Sequence, residues 1–161
     1  LGDSQFAYRQ PDEYLDTKGA ELSAVWRWKD FKYFFGYTHA DVEEHGADGR
    51  KMAPLMPKDR LNNVFVYERE GDFRVGLEAY YYGRQKLTDG STARDYWIFG
   101  LMMEKVFSPS VRLFLNFENL SDTRQTRFGT IYTGSKLNPV FSDVFAPLDG
   151  FIINGGIKVT F

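Results

Sequence analysis

The chain's 161 residues are enough for one domain, and its charges balance closely, with 20 Lys and Arg against 22 Asp and Glu for a net charge of −2. Charges so evenly mixed exclude a basic nucleic-acid surface, and the absence of cysteine excludes disulfides, thiol chemistry and cysteine-ligated zinc. No apolar run approaches the ~20 residues of a membrane helix, yet aromatic residues make up 17% of this polar chain.

Residues 1–18 are polar, with a weak extended pattern around Phe6 and Tyr8, and read as a loop entering a strand. From Gly19 the period becomes two: Ala20, Leu22, Ala24, Trp26 and Trp28 lie on one face, Glu21, Ser23 and Arg27 on the other. Lys29-Asp30 forms a tight turn, and the next strand sets Phe31, Tyr33, Phe35 and Tyr37 opposite Lys32, Gly36 and Thr38. Glu43 to Asp59 reads as a long polar loop. The third strand, 60–68, is less regular: Leu61, Phe65 and Tyr67 share a face, but Val64 and Val66 fall on the other. After the turn Arg69–Asp72, Phe73, Val75, Leu77, Ala79 and Tyr81 alternate with Arg74, Gly76, Glu78 and Tyr80. Trp97, Phe99, Leu101 and Met103 mark strand five, and Val111, Leu113, Leu115 and Phe117 strand six. Ser121 to Asp149 reads as a long loop. The last strand places Phe151, Ile153, Gly155, Ile157, Val159 and Phe161 on one face and ends on an aromatic, where a soluble chain is usually frayed and polar.

The connections alternate between short turns (29–30, 69–72, 108–110) and long links (44–59, 85–94, 121–149). Short periplasmic turns and long extracellular loops are the asymmetry of outer-membrane barrels, and one polar face per strand explains the low hydropathy. A soluble β-sandwich or ligand-binding barrel is a rival reading. It would have to place Arg27, Glu78, Arg112 and Glu118 in a dry core, at high cost. The fold class is therefore all-β, an antiparallel transmembrane β-barrel with seven convincing strands. Single-chain barrels normally have an even number. Either Leu1–Arg9 holds part of an eighth strand, or an N-terminal portion is missing; the lack of a Met start and of a signal peptide also suggests a processed or incomplete chain.

Residues 15 to 161 resemble the C-terminal barrel of TonB-dependent outer-membrane receptors. The similarity is carried by TKGAELSAVWRW (17–28), FFGYTHAD (34–41), PLMPKDRLNNVFVYE (54–68), FRVGLEAYYYGRQ (73–85) and VRLFLNFENLSD (111–122). The closing APLDGFIINGGIKVTF (146–161) is most like bacteroidete-type members. The resemblance implies the last third of a barrel of ~22 strands, with residues 1–161 as one wall segment and the N-terminal plug domain absent. It further implies a non-enzymatic importer of a scarce ligand (a siderophore, haem, cobalamin or glycan) in the outer membrane of a Gram-negative bacterium. Its implied partners are outer-membrane lipid, the barrel-assembly machinery, the remaining barrel and plug, and the energy-transducing TonB complex. The alternative is a self-contained eight-stranded barrel with a structural or adhesive role.

No catalytic, cofactor-binding or metal residue is assigned. Thr38–His45 holds two His and three carboxylates, and His39 and Asp41 share a strand face. A strand end entering a loop is charged in any case, so the cluster is read as solvent-facing. Arg124, Arg127, Tyr132 and Lys136 of the 121–149 loop are the expected ligand contacts, by position and exposure alone. Phe161, Val159, Ile157 and Ile153 resemble the signal by which the barrel-assembly machinery recognises its clients. Gly155-Gly156 is read as a bend or a close backbone approach.

Overall fold

The computed structural model describes residues 13–47 and 49–160. Its strands are β1 (Tyr14–Trp28), β2 (Phe31–Gly46), β3 (Gly49–Met52), β4 (Asp59–Arg69), β5 (Phe73–Tyr82), β6 (Tyr96–Ser108), β7 (Val111–Glu118), β8 (Tyr132–Ser135), β9 (Asn138–Phe141) and β10 (Ile152–Val159). β1, β2, β4, β5, β6, β7 and β10 form an antiparallel meander in that order; β3 pairs with β2, and β8 with β9. Leu1–Arg9 lies outside the described residues.

The registers carry each apolar face across the sheet, and the pairing of β6 with β7 shifts register once, at Val106–Ser108 beside the turn. One row runs Trp28, Phe31, Tyr67, Val75, Met103, Leu115 and Gly155; another runs Leu22, Tyr37, Leu61, Tyr81 and Trp97. One-residue slippage would exchange the two faces, so the alternation fixes the register. The apolar face is open: Leu22, Trp26, Trp28, Leu77, Ile153 and Ile157 are all more than half exposed. The other face bears Lys32, Glu68, Arg74, Glu104 and Arg112, joined by ion pairs of 2.6 Å (Lys32–Glu68), 2.5 Å (Arg74–Glu68) and 3.8 Å (Arg112–Glu104). An apolar outside and a charged inside is the division of a barrel wall between lipid and lumen.

The wall has no core of its own. Among the described residues no large side chain is fully buried, and the accessible surface is 12084 Å². A compact soluble protein of this mass exposes about 8,300 Å². Among the described residues β1 and β10 each pair along one side only and do not pair with each other.

Two irregularities have local causes. Val66 faces the lumen because Gly76, its cross-strand neighbour, leaves room for Val66 and Met102 to meet above it. Asn63 faces lipid, where its Oδ1 accepts the Tyr33 hydroxyl at 2.6 Å and its amide donates to the Ala79 carbonyl at 3.4 Å. The Gly155-Gly156 reading holds. A Cβ on Gly156 would come within 2.9 Å of the Phe114 ring, and one on Gly155 within 2.7 Å of the Phe114 carbonyl.

Three expectations are corrected. Strand structure begins at Tyr14 rather than Gly19. β2 continues to Gly46 and pairs with β3, through residues read as loop. The 121–149 segment contains a 3-10 turn (Gln125–Arg127) and the β8–β9 hairpin. Beyond the bilayer no apolar alternation is required, so a strand held by backbone pairing and charged cross-strand contacts leaves no period in the sequence.

Candidate functional site

The three short turns leave one end of the sheet, and the long links gather at the other. There β4, β5 and β6 present Arg60, Tyr82 and Tyr96 in one row on the lumen face. Tyr82 stacks on Tyr96 with ring centroids 5.0 Å apart, Tyr96 meets Phe128 at 6.2 Å, and Phe128 stacks on Phe145 at 5.9 Å. The Arg60 guanidinium lies 5.9 Å from the Tyr82 ring and that of Arg94 lies 4.9 Å from Phe128. Flat rings capped by cations form a surface suited to a planar, anionic or aromatic ligand. Below it a lumen-side hollow of about 350 Å³ is lined by Glu78, Tyr80, Ile98, Met102, Asn116 and Glu118.

The 119–151 link is built rather than loose. Gln125 is 3% exposed, and its amide donates to the Asp143 carbonyl at 3.0 Å. Its Oε1 accepts the Phe145 and Ala146 N–H groups at 3.3 and 3.2 Å, and its own N–H donates to the Pro147 carbonyl at 2.7 Å. The buried Gln85 and the Tyr96 hydroxyl both donate to the Phe145 carbonyl, at 3.2 and 2.9 Å. Asn119 closes the base of the link by donating to the Thr123 and Asp149 carbonyls at 2.7 and 3.2 Å. These amides replace the backbone partners that an irregular segment lacks. Asp143 ties the link to its neighbour by accepting the Thr88 N–H and hydroxyl at 2.6 and 2.9 Å.

Charges on the neighbouring links are fixed locally. In the segment before β4, the Asp41 carboxylate beside Lys58 holds that ammonium above the ordinary lysine range. Hydrogen bonds from Ser91 hold the Asp89 carboxyl below the usual carboxylate range.

The four residues expected at a ligand divide into two pairs. Arg124 and Arg127 converge on one oxygen of Asp122, Arg124 at 3.0 Å. Tyr132 packs on Phe141 at 6.3 Å in the β8–β9 hairpin, and Lys136 occupies that hairpin's turn. Among the described residues no hydrogen bond or ion pair joins the two pairs. Sequence reasoning passed over Gln85, Tyr96, Gln125, Phe128 and Phe145; the only signal was an aromatic at Phe128 and at Phe145 inside a polar link. Tyr80 and Tyr82 face the lumen and Tyr81 the lipid, as the alternation requires.

The family model described as "TonB dependent receptor-like, beta-barrel" matches residues 1–120. Among solved structures, the ferric-catecholate import receptor Fiu of E. coli K12 is 18% identical with a TM-score of 0.63, over 89% of this chain and 21% of its own. The pyoverdine outer membrane receptor FpvA of Pseudomonas aeruginosa PAO1, bound to pyoverdine, is 20% identical with a TM-score of 0.62, over 91% and 22%. The FrpB iron transporter of Neisseria meningitidis is 12% identical with a TM-score of 0.60, over 92% and 24%. At these identities the likeness is one of fold, and this chain spans less than a quarter of each receptor's length. No curated protein matches the sequence.

Proposed function

The chain belongs to the TonB-dependent receptor-like β-barrel family, and from that premise we propose that it forms the C-terminal wall of an outer-membrane importer of an iron chelate. The single observation that carries the ligand class is the ladder Arg60, Tyr82, Tyr96, Phe128 and Arg94 at the lumen mouth. Ferric catecholates and pyoverdine, named for two of the similar receptors, are ligands of the anionic, aromatic kind that such a surface takes. The β8–β9 hairpin with Tyr132 and Lys136 is the proposed outer contact, and Arg124 and Arg127 are proposed to brace its base.

The rest of the machine follows from the open edges. β1 and β10 need partners in lipid, where an unpaired strand edge is costly, so further strands of the same receptor close the barrel. A plug fills the lumen against the Lys32–Glu68–Arg74 network, and the TonB complex supplies energy through it. Ile153, Ile157, Val159 and Phe161, the last outside the described residues, serve as the barrel-assembly signal, and outer-membrane lipid meets the Trp26, Leu77 and Ile153 face. The protein is a transporter rather than an enzyme.

The test is growth under iron limitation of cells carrying the full receptor, with ferric catecholate or ferripyoverdine as the iron source. Growth should depend on the receptor and fall when Tyr96→Ala and Arg94→Ala are combined at unchanged membrane level. Equal growth with and without the receptor on both chelates would overturn the iron reading.

A further inference from the structure

β1 and β2 run on together past the apolar rows, and their register sets Tyr14 opposite His45 and Asp16 opposite Glu43. All four side chains share the outward face of this extension. One carboxylate oxygen from each of Asp16 and Glu43 and one ring nitrogen of His45 lie within 4.8 Å of one another. The three residues are half-buried.

A second observation comes from the imidazole. His45 Nε2 is shut off from solvent and has no hydrogen-bond partner among the described residues. Such a nitrogen calls for an explanation, and an absent ion is one. The ring is held in place by Tyr14, stacked at 4.6 Å and 10°. Each carboxylate is also half committed. Arg50 takes Glu43 through Oε2 alone, and Lys18 reaches Asp16 through Oδ2 at 3.1 Å. Among the described residues no hydrogen bond or ion pair engages the second oxygen of either, and each carboxylate is oriented by its partner as outer-shell groups orient metal ligands.

We propose that Asp16, Glu43 and His45 bind one borderline divalent ion of the Zn²⁺ class on the extracellular side. One imidazole and two carboxylates suit Zn²⁺, Cu²⁺ or Ni²⁺, whereas Ca²⁺ and Mg²⁺ demand more oxygen ligands and Cu(I) wants sulfur. Ligand atoms around tetrahedral zinc sit ~3.3 Å apart, so closure from the 4.8 Å limit requires at most side-chain rotation at the two acids. The ion would clip β1 to β2 where pairing has lost its apolar support. His39 is not part of this site. Its Nδ1 is bonded to Asp59 at 2.8 Å and its Nε2 lies 3.5 Å from Asp41.

The experiment is calorimetric titration of zinc chloride into the full receptor, purified in detergent from outer membranes without a histidine tag. Wild type should show one micromolar site that His45→Ala weakens at least ~10-fold, Glu43→Gln weakens less, and His39→Ala leaves unchanged. The unheated electrophoretic mobility of each variant shows that its barrel is folded. No saturable heat, or equal titration by wild type and His45→Ala, overturns the proposal. So does loss of the site in His39→Ala.

Discussion

Replacing Gln125 by Leu should free the 119–151 link while leaving the barrel wall intact. The side chain is 3% exposed and makes three hydrogen bonds to the backbone of its own link. Leu fills a similar volume, so the change isolates the polar contribution from the packing. A backbone hydrogen bond is worth about 1 kcal/mol net, and a buried group left without a partner costs ~1–3 kcal/mol. Two of the three bonds, at 3.2 and 3.3 Å, are long and share one acceptor, so each bond is taken at the lower end, about 1 kcal/mol, and losing all three costs about 3 kcal/mol. That corresponds to opening of the link about 100-fold more often. Hydrogen exchange of the intact receptor in detergent reads it directly, as faster exchange at the Phe145 and Ala146 amides, with the β4–β5–β6 amides as internal control. Because Phe145 also receives Tyr96 and Gln85, the ladder should loosen with the link, and chelate affinity should fall in parallel. Unchanged exchange at Phe145 and Ala146 would refute the view that Gln125 holds this link together.

The remaining predictions concern the wall and its ends. Leu77→Arg, on the lipid face and 52% exposed, should cost ~2–4 kcal/mol in urea-dependent refolding into lipid vesicles, whereas Glu78→Arg, facing the lumen, should cost much less; equal costs would contradict the assignment of faces. Tyr33→Phe removes the 2.6 Å partner of the lipid-facing Asn63 and should destabilise by about 1–2 kcal/mol in the same assay, a loss that Asn63→Leu in the same chain should relieve. Lys105 beside Asp72 holds that carboxyl below the usual range. The contribution of this contact to the β4–β5 turn is therefore complete above the unfolded carboxylate pKa of ~4 and lost as pH falls through the lower folded value. The protection factor of the Val106 amide, which donates to the Asp72 carbonyl at 2.7 Å, should be flat from neutral pH to about 5 and fall below ~4, and Asp72→Asn should abolish that fall. Deleting Phe161 should lower the amount of folded protein in outer membranes, measured by heat-modifiable mobility against total protein.

What could be read from the sequence follows from what lipid enforces. Between Leu22 and Tyr37, or Leu61 and Tyr81, the lipid-facing positions are apolar except Asn63, whose amide is satisfied by Tyr33 and Ala79, so period two is written into the residues and the strands stand out. Tyr14–Lys18 and Asp41–Gly46 run past the apolar rows, where neither face has to be apolar. Cross-strand contacts such as Arg50 to Glu43 and Tyr14 on His45 then stabilise the pairing without any periodic trace. The same reason hid the ladder. Gln125 and Phe145 are separated by 20 residues of irregular chain, and nothing in either residue's surroundings in sequence announces the other.

The terminal strand shows how the two kinds of information combine. Its alternation alone says that Ile153, Ile157 and Val159 face lipid, and its pairing with β7 accounts for one edge. Asn154 adds a lumen-side link, accepting from Asn116 at 2.9 Å and donating to Glu118, so β10 is fixed to β7 by side chains as well as backbone. The apolar face needs only lipid, but the second edge needs hydrogen-bond partners that lipid does not supply. β1, the other strand with a free edge, reaches 15 residues against eight for β10. Among the described residues, two edges so unequal in length are poorly matched to each other.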